Sequence, residues 1–408
     1  MPRCVPECAT PGGLAPASSA GRTPRGPCAK PGRNPWRGAD NVVADRPLHI
    51  GVDGRELVGK PTGVGRYLLS VLRVWAEDPL LPHRFTVFLP SNAPSSVKAL
   101  GDRFSVHVEP TPKAGTIWEQ TRLASAVAEV NPDVFFAAGY TAPLRLTCPS
   151  VVAVYDVSFF AHPEWFATRE RLRRQWTTKA AAKSARRVVT ISRFSAQEIV
   201  RWLEVPAERI VVAPPAAPGV TAVDSSGPRP PIALFVGSLF NRRRIPELLQ
   251  AFGQVAKAVP DARLLLIGDN RTHPPVDPRA LAFELGIGDR VDWREYVPDA
   301  ELESAYRQAR VFVFLSDYEG FAMTPLEALA YGVPSVLLDT PIAREVYGDA
   351  ARLVGPDPAT IANALGTLLT NDDVHAELLA RGRTRLAAFS WVTTAGAVRT
   401  ALEEAAAE

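Results

Sequence analysis

The 408-residue sequence predicts an α/β protein of two lobes, each a parallel sheet covered by helices, with a cleft between them. Three observations predict it. Short apolar runs alternate with longer stretches of helical spacing. That alternation occurs twice, with a proline-rich interruption between the two series. The polar segments that could carry chemistry fall at the carboxyl ends of the expected strands, where parallel sheets bind ligands.

In the first series, Leu48–Asp53 reads as a strand and Gly65 to about Trp75 as a helix. Phe85–Leu89 and Ser105–Val108 read as strands, and Trp118–Val130 has helical spacing. Asp133–Ala137 and Val151–Tyr155 read as further strands. The pattern pauses at Ala213-Pro-Pro-Ala-Ala-Pro-Gly219 and again over 225–231, which continue neither element. The second series has strands at Ile232–Val236, Leu264–Ile267, Val291–Trp293, Val311–Leu315 and Ser335–Leu338. Its helices are Ile245–Ala258, Pro278–Leu285, Ala300–Gln308 and Pro325–Tyr331, with mostly helix beyond. The expected organisation is a leader over 1–46, a first Rossmann-like domain over 47–218, a linker over 219–231 and a second Rossmann-like domain over 232–408.

Composition excludes several classes. The apolar fraction is 46% and the net charge only +3, against a protein built mainly to bind nucleic acid. No apolar run is long enough to span a membrane. The first 45 residues hold eight prolines, six glycines, six Lys/Arg and three Asp/Glu, with no apolar periodicity. That is a disordered composition without a secretory h-region; a start codon placed upstream of the native one is the other reading. Cys4, Cys8 and Cys28 lie in this leader, leaving only Cys148 in the body, so no disulfide framework is expected and a reducing cytoplasm is the natural compartment.

The segment Tyr318-Glu-Gly-Phe-Ala-Met-Thr-Pro-Leu-Glu-Ala-Leu-Ala-Tyr-Gly-Val-Pro334 follows a buried strand and leads into a helix. Carboxylates at Glu319 and Glu327 could accept hydrogen bonds from sugar hydroxyls, and amides at a helix N-terminus favour a phosphate. The segment resembles the E-x7-E signature of family 4 retaining glycosyltransferases, usually written E-G-F-G-L-P-x-L-E-A-M-A-x-G-x-P. The resemblance implies the GT-B fold, with a C-terminal helix packing back on the first lobe. It implies that Glu319 contacts the donor hexose and Glu327 the ribose, with Gly320, Phe321, Ala322, Met323 and Thr324 lining the diphosphate. The family's Gly-Leu-Pro is Ala322-Met-Thr324 here. Thr324-Pro-Leu-Glu327 also reads as a capping box, a second role open to Glu327. Glu319 has no comparable structural alternative.

Val236-Gly-Ser-Leu-Phe-Asn-Arg-Arg-Arg-Ile245 is similar to the family's G-x-x-x-x-R-K-N segment. The resemblance places Gly237 at the donor and gives Arg242 and Arg243 the diphosphate charge; a solvated basic turn is the other reading. Arginines aimed at a departing nucleotide would stabilise the transition state. No Asp-x-Asp pair presents itself, so no metal and no other cofactor is expected.

On the acceptor side, Asp53-x-Arg55 followed by Thr62-Gly-Val-Gly-Arg-Tyr67 resembles the start of many family 4 enzymes. Gly63, Val64, Gly65 and Arg66 would face the phosphate or acceptor, although Arg66 reads equally as solvent-facing. Val154-Tyr-Asp-Val-Ser-Phe-Phe-Ala-His-Pro-Glu-Trp-Phe166 is similar to the family's H-D-L-S-F-x-x-H-P-E-W-F stretch. Asp156 matches its Asp as a catalytic candidate, while Tyr155 stands in place of its first His and is a far weaker base. His162 is expected to make a structural hydrogen bond. Ser195 with Glu198 reads as a capping box, and Ser192 as a possible ligand contact. Residues 169–187 hold eight basic side chains and one acidic one, either a solvated face or a surface for anionic lipid.

These readings imply transfer of a hexosyl unit, such as mannosyl or glucosyl, from a UDP-, GDP- or dTDP-sugar to an acceptor hydroxyl. Retention is expected, and the acceptor is a glycan or a lipid-linked molecule. Synthesis of cell-surface polysaccharide, glycolipid or natural-product glycosides is the expected setting. The location expected is the cytoplasm, either free or peripheral at the inner membrane face. A sugar-nucleotide epimerase and a catalytically silent binding protein are the alternatives. A nicotinamide dehydrogenase fits poorly, because no Gly-x-Gly-x-x-Gly follows a strand with an acid about 20 residues later.

Overall fold

The computed structural model describes residues 46–59, 62–112, 114–219 and 229–408. The leader expected over 1–46, with Cys4, Cys8 and Cys28, lies outside them except for Arg46. So do residues 220–228 of the expected linker.

Two parallel sheets form the two lobes. The first holds β1 (His49–Asp53), β2 (Arg84–Leu89), β3 (Phe104–Val108), β4 (Val134–Ala137), β5 (Ser150–Ala153), β6 (Arg187–Thr190) and β7 (Ile210–Val212), in the order β3-β2-β1-β4-β5-β6-β7. The second holds β8 (Ile232–Val236), β9 (Arg263–Ile267), β10 (Val291–Arg294), β11 (Val311–Phe314), β12 (Ser335–Leu338) and β13 (Arg352–Val354), in the order β10-β9-β8-β11-β12-β13. Central strands such as Val134-Phe-Phe-Ala and Val311-Phe-Val-Phe are buried throughout, as helices on both faces require. Each sheet reverses its winding once, between β1 and β4 and between β8 and β11. Ligands collect in the crevice at such switch points.

The sequence reading differs from the structure in instructive places. β7 and β13 were not anticipated. β7 and β13 are three-residue edge strands, too short for a period to show. The helix expected over Trp118–Val130 starts at Thr116 and contains a π-helical turn, Glu119–Leu123. That turn delivers Glu119 to a buried triad. Arg55 donates from Nε to Asp53 at 2.8 Å and from Nη2 to Glu119 at 2.7 Å. Burial raises the Asp53 carboxyl above its usual range, with Arg55 opposing. The triad fixes the loop leaving β1.

The lobes meet closely at Gly320. A Cβ there would lie 2.2 Å from the Tyr155 carbonyl oxygen, so no larger residue fits without moving a lobe. Ser192 Oγ donates to the Gly320 carbonyl at 2.7 Å. Ser195 Oγ reaches the Tyr155 carbonyl at 2.9 Å. From the second lobe, the Glu345 carboxylate accepts from the Arg193 and Phe194 amides at 2.8 Å each, capping the first-lobe helix Arg193–Leu203. The C-terminal helix Trp391–Ala407 packs back on the first lobe, as the resemblance implied. There Glu403 meets buried His83 at 2.9 Å, and Trp75 donates to the Ala395 carbonyl at 3.1 Å.

Candidate active site

The loops leaving β8 and β11 straddle the switch point of the second sheet. β8 is followed by Gly237, whose φ of 141° belongs to glycine. A Cβ there would strike Arg243 Nη1 at 2.3 Å, so the glycine makes room for the guanidinium. Asn241–Arg243 is one 3₁₀ turn that aims two arginines at the other loop.

Glu319 receives them. Arg243 Nη2 lies 3.2 Å from Glu319 Oε1 and Arg242 Nε 3.7 Å from it, and Ser316 Oγ donates to the same oxygen at 2.8 Å. Glu319 therefore has a structural partner set that its sequence context did not reveal. Arg243 also donates to the Ser238 carbonyl at 2.8 Å and sits 4.8 Å over the Phe314 ring. Burial pulls its guanidinium below the usual arginine range, with Glu319 opposing. Arg242 lies 4.3 Å over the Phe240 ring and 5.9 Å from that of Trp165 in the first lobe. Its Nε is buried with no hydrogen-bond acceptor.

The helix after this loop runs Met323–Ala330, two residues earlier than expected. Its N-cap is Ala322, at φ 66°, so the departure from the family's glycine places an alanine in the left-handed region. The Thr324–Glu327 capping box does not form. Thr324 lies inside the first turn and its buried Oγ1 has no partner. The Glu327 carboxylate instead accepts from the Tyr306 hydroxyl at 3.0 Å and lies 3.7 Å from Arg66 Nη1 of the first lobe. Burial raises the Glu327 carboxyl, and Arg66 and Tyr306 pull it back. Tyr331 stacks on Tyr306 at 5.1 Å. Phe321 is buried against Phe389, while Met323 is only partly buried.

Across the cleft, Gly63, Val64, Gly65 and Arg66 form the first turn of the helix Gly63–Glu77 rather than a loop before it. Thr62 caps it by accepting from Gly65 N at 3.0 Å. A Cβ on Gly65 would lie 2.2 Å from the Glu56 carbonyl, so this glycine serves packing. Arg66 is the cation of this turn that reaches the other lobe.

Three first-lobe candidates are tied up. Tyr155 is buried, its hydroxyl donating to the Ala138 carbonyl at 2.8 Å. Burial holds that hydroxyl well above the usual tyrosine range, which removes it as a base. Asp156 accepts from the Tyr140 hydroxyl at 2.7 Å and the Ser158 amide at 2.9 Å. Ser192, not Ser195, is the N-cap of its helix, and with its bond to Gly320 the hydroxyl is fully engaged. The Ser195–Glu198 capping box is therefore absent. His162 bonds Glu164 at 3.1 Å and stacks on Trp165 at 3.9 Å, a structural role as expected. Sequence reasoning missed Tyr306 and Ser316, neither of which stands out locally, and gave Glu345 no role.

Two open cavities of about 530 and 520 Å³ lie elsewhere, beside Arg187 and Glu408 and beside Cys148. Size alone does not mark the site, since Arg187 is committed to Glu404 at 2.9 Å and to Glu408. Among the described residues, no group of three or more His, Cys, Asp or Glu could hold a metal ion.

A model of the Glycosyltransferase Family 4 proteins matches residues 61–218, and one of the Glycosyl transferases group 1 matches 223–385. The O-antigen chain mannosyltransferase B of Escherichia coli is 28% identical over 365 residues, covering 81% of this chain and 93% of that protein. A D-inositol 3-phosphate glycosyltransferase of Nocardia farcinica is 30% identical over 244 residues, 55% of this chain and 54% of that one. Among solved structures, Anabaena HepE in complex with UDP and glucose superposes with a TM-score of 0.68 at 18% identity, covering 86% of this chain and 98% of that one. WaaG, a glycosyltransferase involved in lipopolysaccharide biosynthesis, gives 0.65 at 15%, covering 85% and 97%. With both lobes matched and the two parallel sheets facing one cleft, the chain belongs to the family 4, group 1 glycosyltransferases of GT-B fold.

Proposed function

We propose that the enzyme transfers a hexosyl unit, mannosyl or glucosyl, from a nucleoside diphosphate sugar to an acceptor hydroxyl with retention of configuration. The β8–β13 lobe holds the donor and the β1–β7 lobe the acceptor. The observation that carries this reading is the pair of buried donors without acceptors on the two donor loops, Arg242 Nε and Thr324 Oγ1. A buried donor left unpaired costs about 1–3 kcal/mol, and diphosphate oxygens are acceptors of the right kind. Glu327, reachable by Arg66, offers a carboxylate to ribose hydroxyls. The mannosyltransferase relative and the UDP-bound neighbour are consistent with a hexose and a nucleotide.

In the reaction the acceptor oxygen bonds to the anomeric carbon as the bond from that carbon to the phosphate oxygen breaks. The proton of the acceptor hydroxyl passes to the departing phosphate on the same face. Arg242 and Arg243 neutralise the charge growing on the nucleoside diphosphate, and no divalent metal takes part. Glu319 orients both guanidiniums and faces the hexose. The product belongs to cell-surface polysaccharide, glycolipid or natural-product glycoside synthesis at the cytoplasmic side.

The test is a thermal-shift and nucleotide-release screen with UDP-, GDP- and dTDP-sugars, with and without chelator. At least one nucleotide should stabilise the protein, and slow donor hydrolysis should continue in chelator. Absence of stabilisation by every nucleotide overturns the donor reading.

A further inference from the structure

Arg242 and Arg243 share one turn but are held in different ways. Arg243 donates to the Ser238 carbonyl and to Glu319. Among the described residues the Arg242 side chain donates no hydrogen bond, and Glu319 Oε1 stands 3.7 Å from its Nε. Two rings hold Arg242 instead. Phe240 of its own lobe lies 4.3 Å from the guanidinium, and Trp165 of the first lobe lies 5.9 Å from it. A ring face attracts a guanidinium through its quadrupole and consumes no N–H. The donors of Arg242 therefore stay available to phosphate oxygens.

The first lobe fixes that indole firmly. Trp165 closes the 3₁₀ turn Pro163–Trp165, which Pro163 opens with its restricted φ. The His162 ring stacks on the indole at 3.9 Å, with the two planes 8° apart. Both rings then meet Tyr318 of the second lobe edge-on, His162 at 5.2 Å and Trp165 at 6.4 Å, and Phe194 joins them at 5.4 Å. Tyr318 is buried and directly precedes Glu319. One first-lobe turn thus touches both donor loops, at Arg242 and beside Glu319. We infer that Trp165 is a positioning residue whose indole holds Arg242 where the departing diphosphate forms, a role that rests on the donor reading proposed above. The contact crosses the cleft, so it exists only while the lobes are together. With the cleft open, Arg242 keeps Phe240 but loses Trp165, and its guanidinium is free to swing away from the breaking bond. Closure restores it. Donor cleavage is thereby tied to the presence of the acceptor lobe, which limits loss of the sugar to water.

The experiment follows nucleotide release from UDP-, GDP- and dTDP-sugars, with calorimetry on the matching free nucleotide. Trp165→Leu should lower kcat roughly 3- to 30-fold, the range that a partly desolvated cation–ring contact spans. Charge on the diphosphate grows as the bond breaks, so donor KM and nucleotide Kd should move by less than about twofold. Trp165→Phe restores a ring face and should recover kcat to within about threefold of the wild type. In an Arg242→Met background, Trp165→Leu should change kcat no further. An equal loss in both backgrounds makes Trp165 a packing residue and overturns the inference, as does an unchanged kcat in Trp165→Leu alone. A second readout needs no turnover. A diphosphate beside Arg242 changes the field at the indole, so UDP, GDP or dTDP should alter the emission that separates wild type from Trp165→Phe. Arg242→Met should abolish that change, and a nucleotide that binds without producing it overturns the contact. An emission change with no turnover of any donor supports the contact and sinks the transferase reading. Turnover with a silent Trp165→Leu does the reverse.

Discussion

Glu319 and Glu327 stand on one loop–helix corner, yet the structure treats them in opposite ways. Glu319 is gathered into its own lobe, with Arg242, Arg243 and Ser316 all directed at one carboxylate oxygen. Glu327 is held by one neutral hydroxyl, from Tyr306, and its cation arrives from the other lobe as Arg66. The first arrangement is preorganised: its ion pairs are formed before any ligand enters. The second is completed across the cleft, and Arg66 is half exposed and free to exchange a carboxylate for a phosphate. Two identical residue types thus serve as a rigid electrostatic centre and as a contact that depends on how the lobes sit.

The contrast can be broken from either side. Replacing Arg243 by Leu should have the largest effect. It removes a phosphate cation and leaves Glu319 with a weaker partner, so kcat should fall roughly 100- to 1,000-fold. Stability should fall by up to about 3–5 kcal/mol, as when one member of a buried pair is lost. Steady-state kinetics and denaturant unfolding read the two losses. Arg66→Met, by comparison, breaks a 3.7 Å contact made by a half-exposed arginine and should move stability by no more than about 1 kcal/mol while raising KM for the donor. Equal stability losses for the two variants would erase the distinction.

Gly320→Ala tests the closeness of the lobes. The added methyl would meet the Tyr155 carbonyl at 2.2 Å, and overpacking of this kind costs about 1–3 kcal/mol. A lowered melting temperature with reduced kcat is expected, and unchanged unfolding would mean the lobes yield freely.

Glu327→Gln sharpens the other side. Losing a charged hydrogen-bond acceptor should weaken nucleotide binding about 10- to 100-fold, measured by calorimetry. Stability should behave differently. Burial raises the Glu327 carboxyl, so ionisation disfavours the fold. The penalty is absent below the ordinary glutamate range and grows as pH rises through the raised folded value. The variant should therefore match the wild type at low pH and be as stable or more so near neutrality. A loss of stability confined to neutral pH would reverse this sign.

The smallest effect is expected from Ala322→Gly. An alanine at φ 66° carries left-handed strain of about 1–2 kcal/mol. Glycine relieves it but adds chain freedom to the unfolded state, so the net gain should be below about 1 kcal/mol. A melting-temperature rise of a degree or two would register it.

Much of the architecture was legible locally. The helix Ile245–Ala258 and the strand Ser335–Leu338 have the bounds their patterns predict, because an apolar period and a Gly-Pro boundary are properties of adjacent residues. β7 and β13 were not legible, since a three-residue edge strand carries no period and forms only because a neighbour offers a ladder. The candidate site divided the same way. Arg242, Arg243, Glu319 and Glu327 were found by motif. The Thr324 capping box was misread because the helix begins earlier, through an alanine in a conformation that local preference disfavours. Tyr155 was weighed as a substitute for a catalytic histidine, and packing instead turned its hydroxyl to the Ala138 carbonyl.

By itself, the sequence determined two parallel α/β lobes and the loops that carry acid and base at their strand ends, because period and turn chemistry act over a few residues. Only the tertiary structure decided which groups meet: Arg66 with Glu327, Glu345 with the helix at Arg193, Gly320 with Tyr155. Those partners are far apart in the chain. Their pairing depends on burial and on the approach of one lobe to the other, which no local pattern encodes.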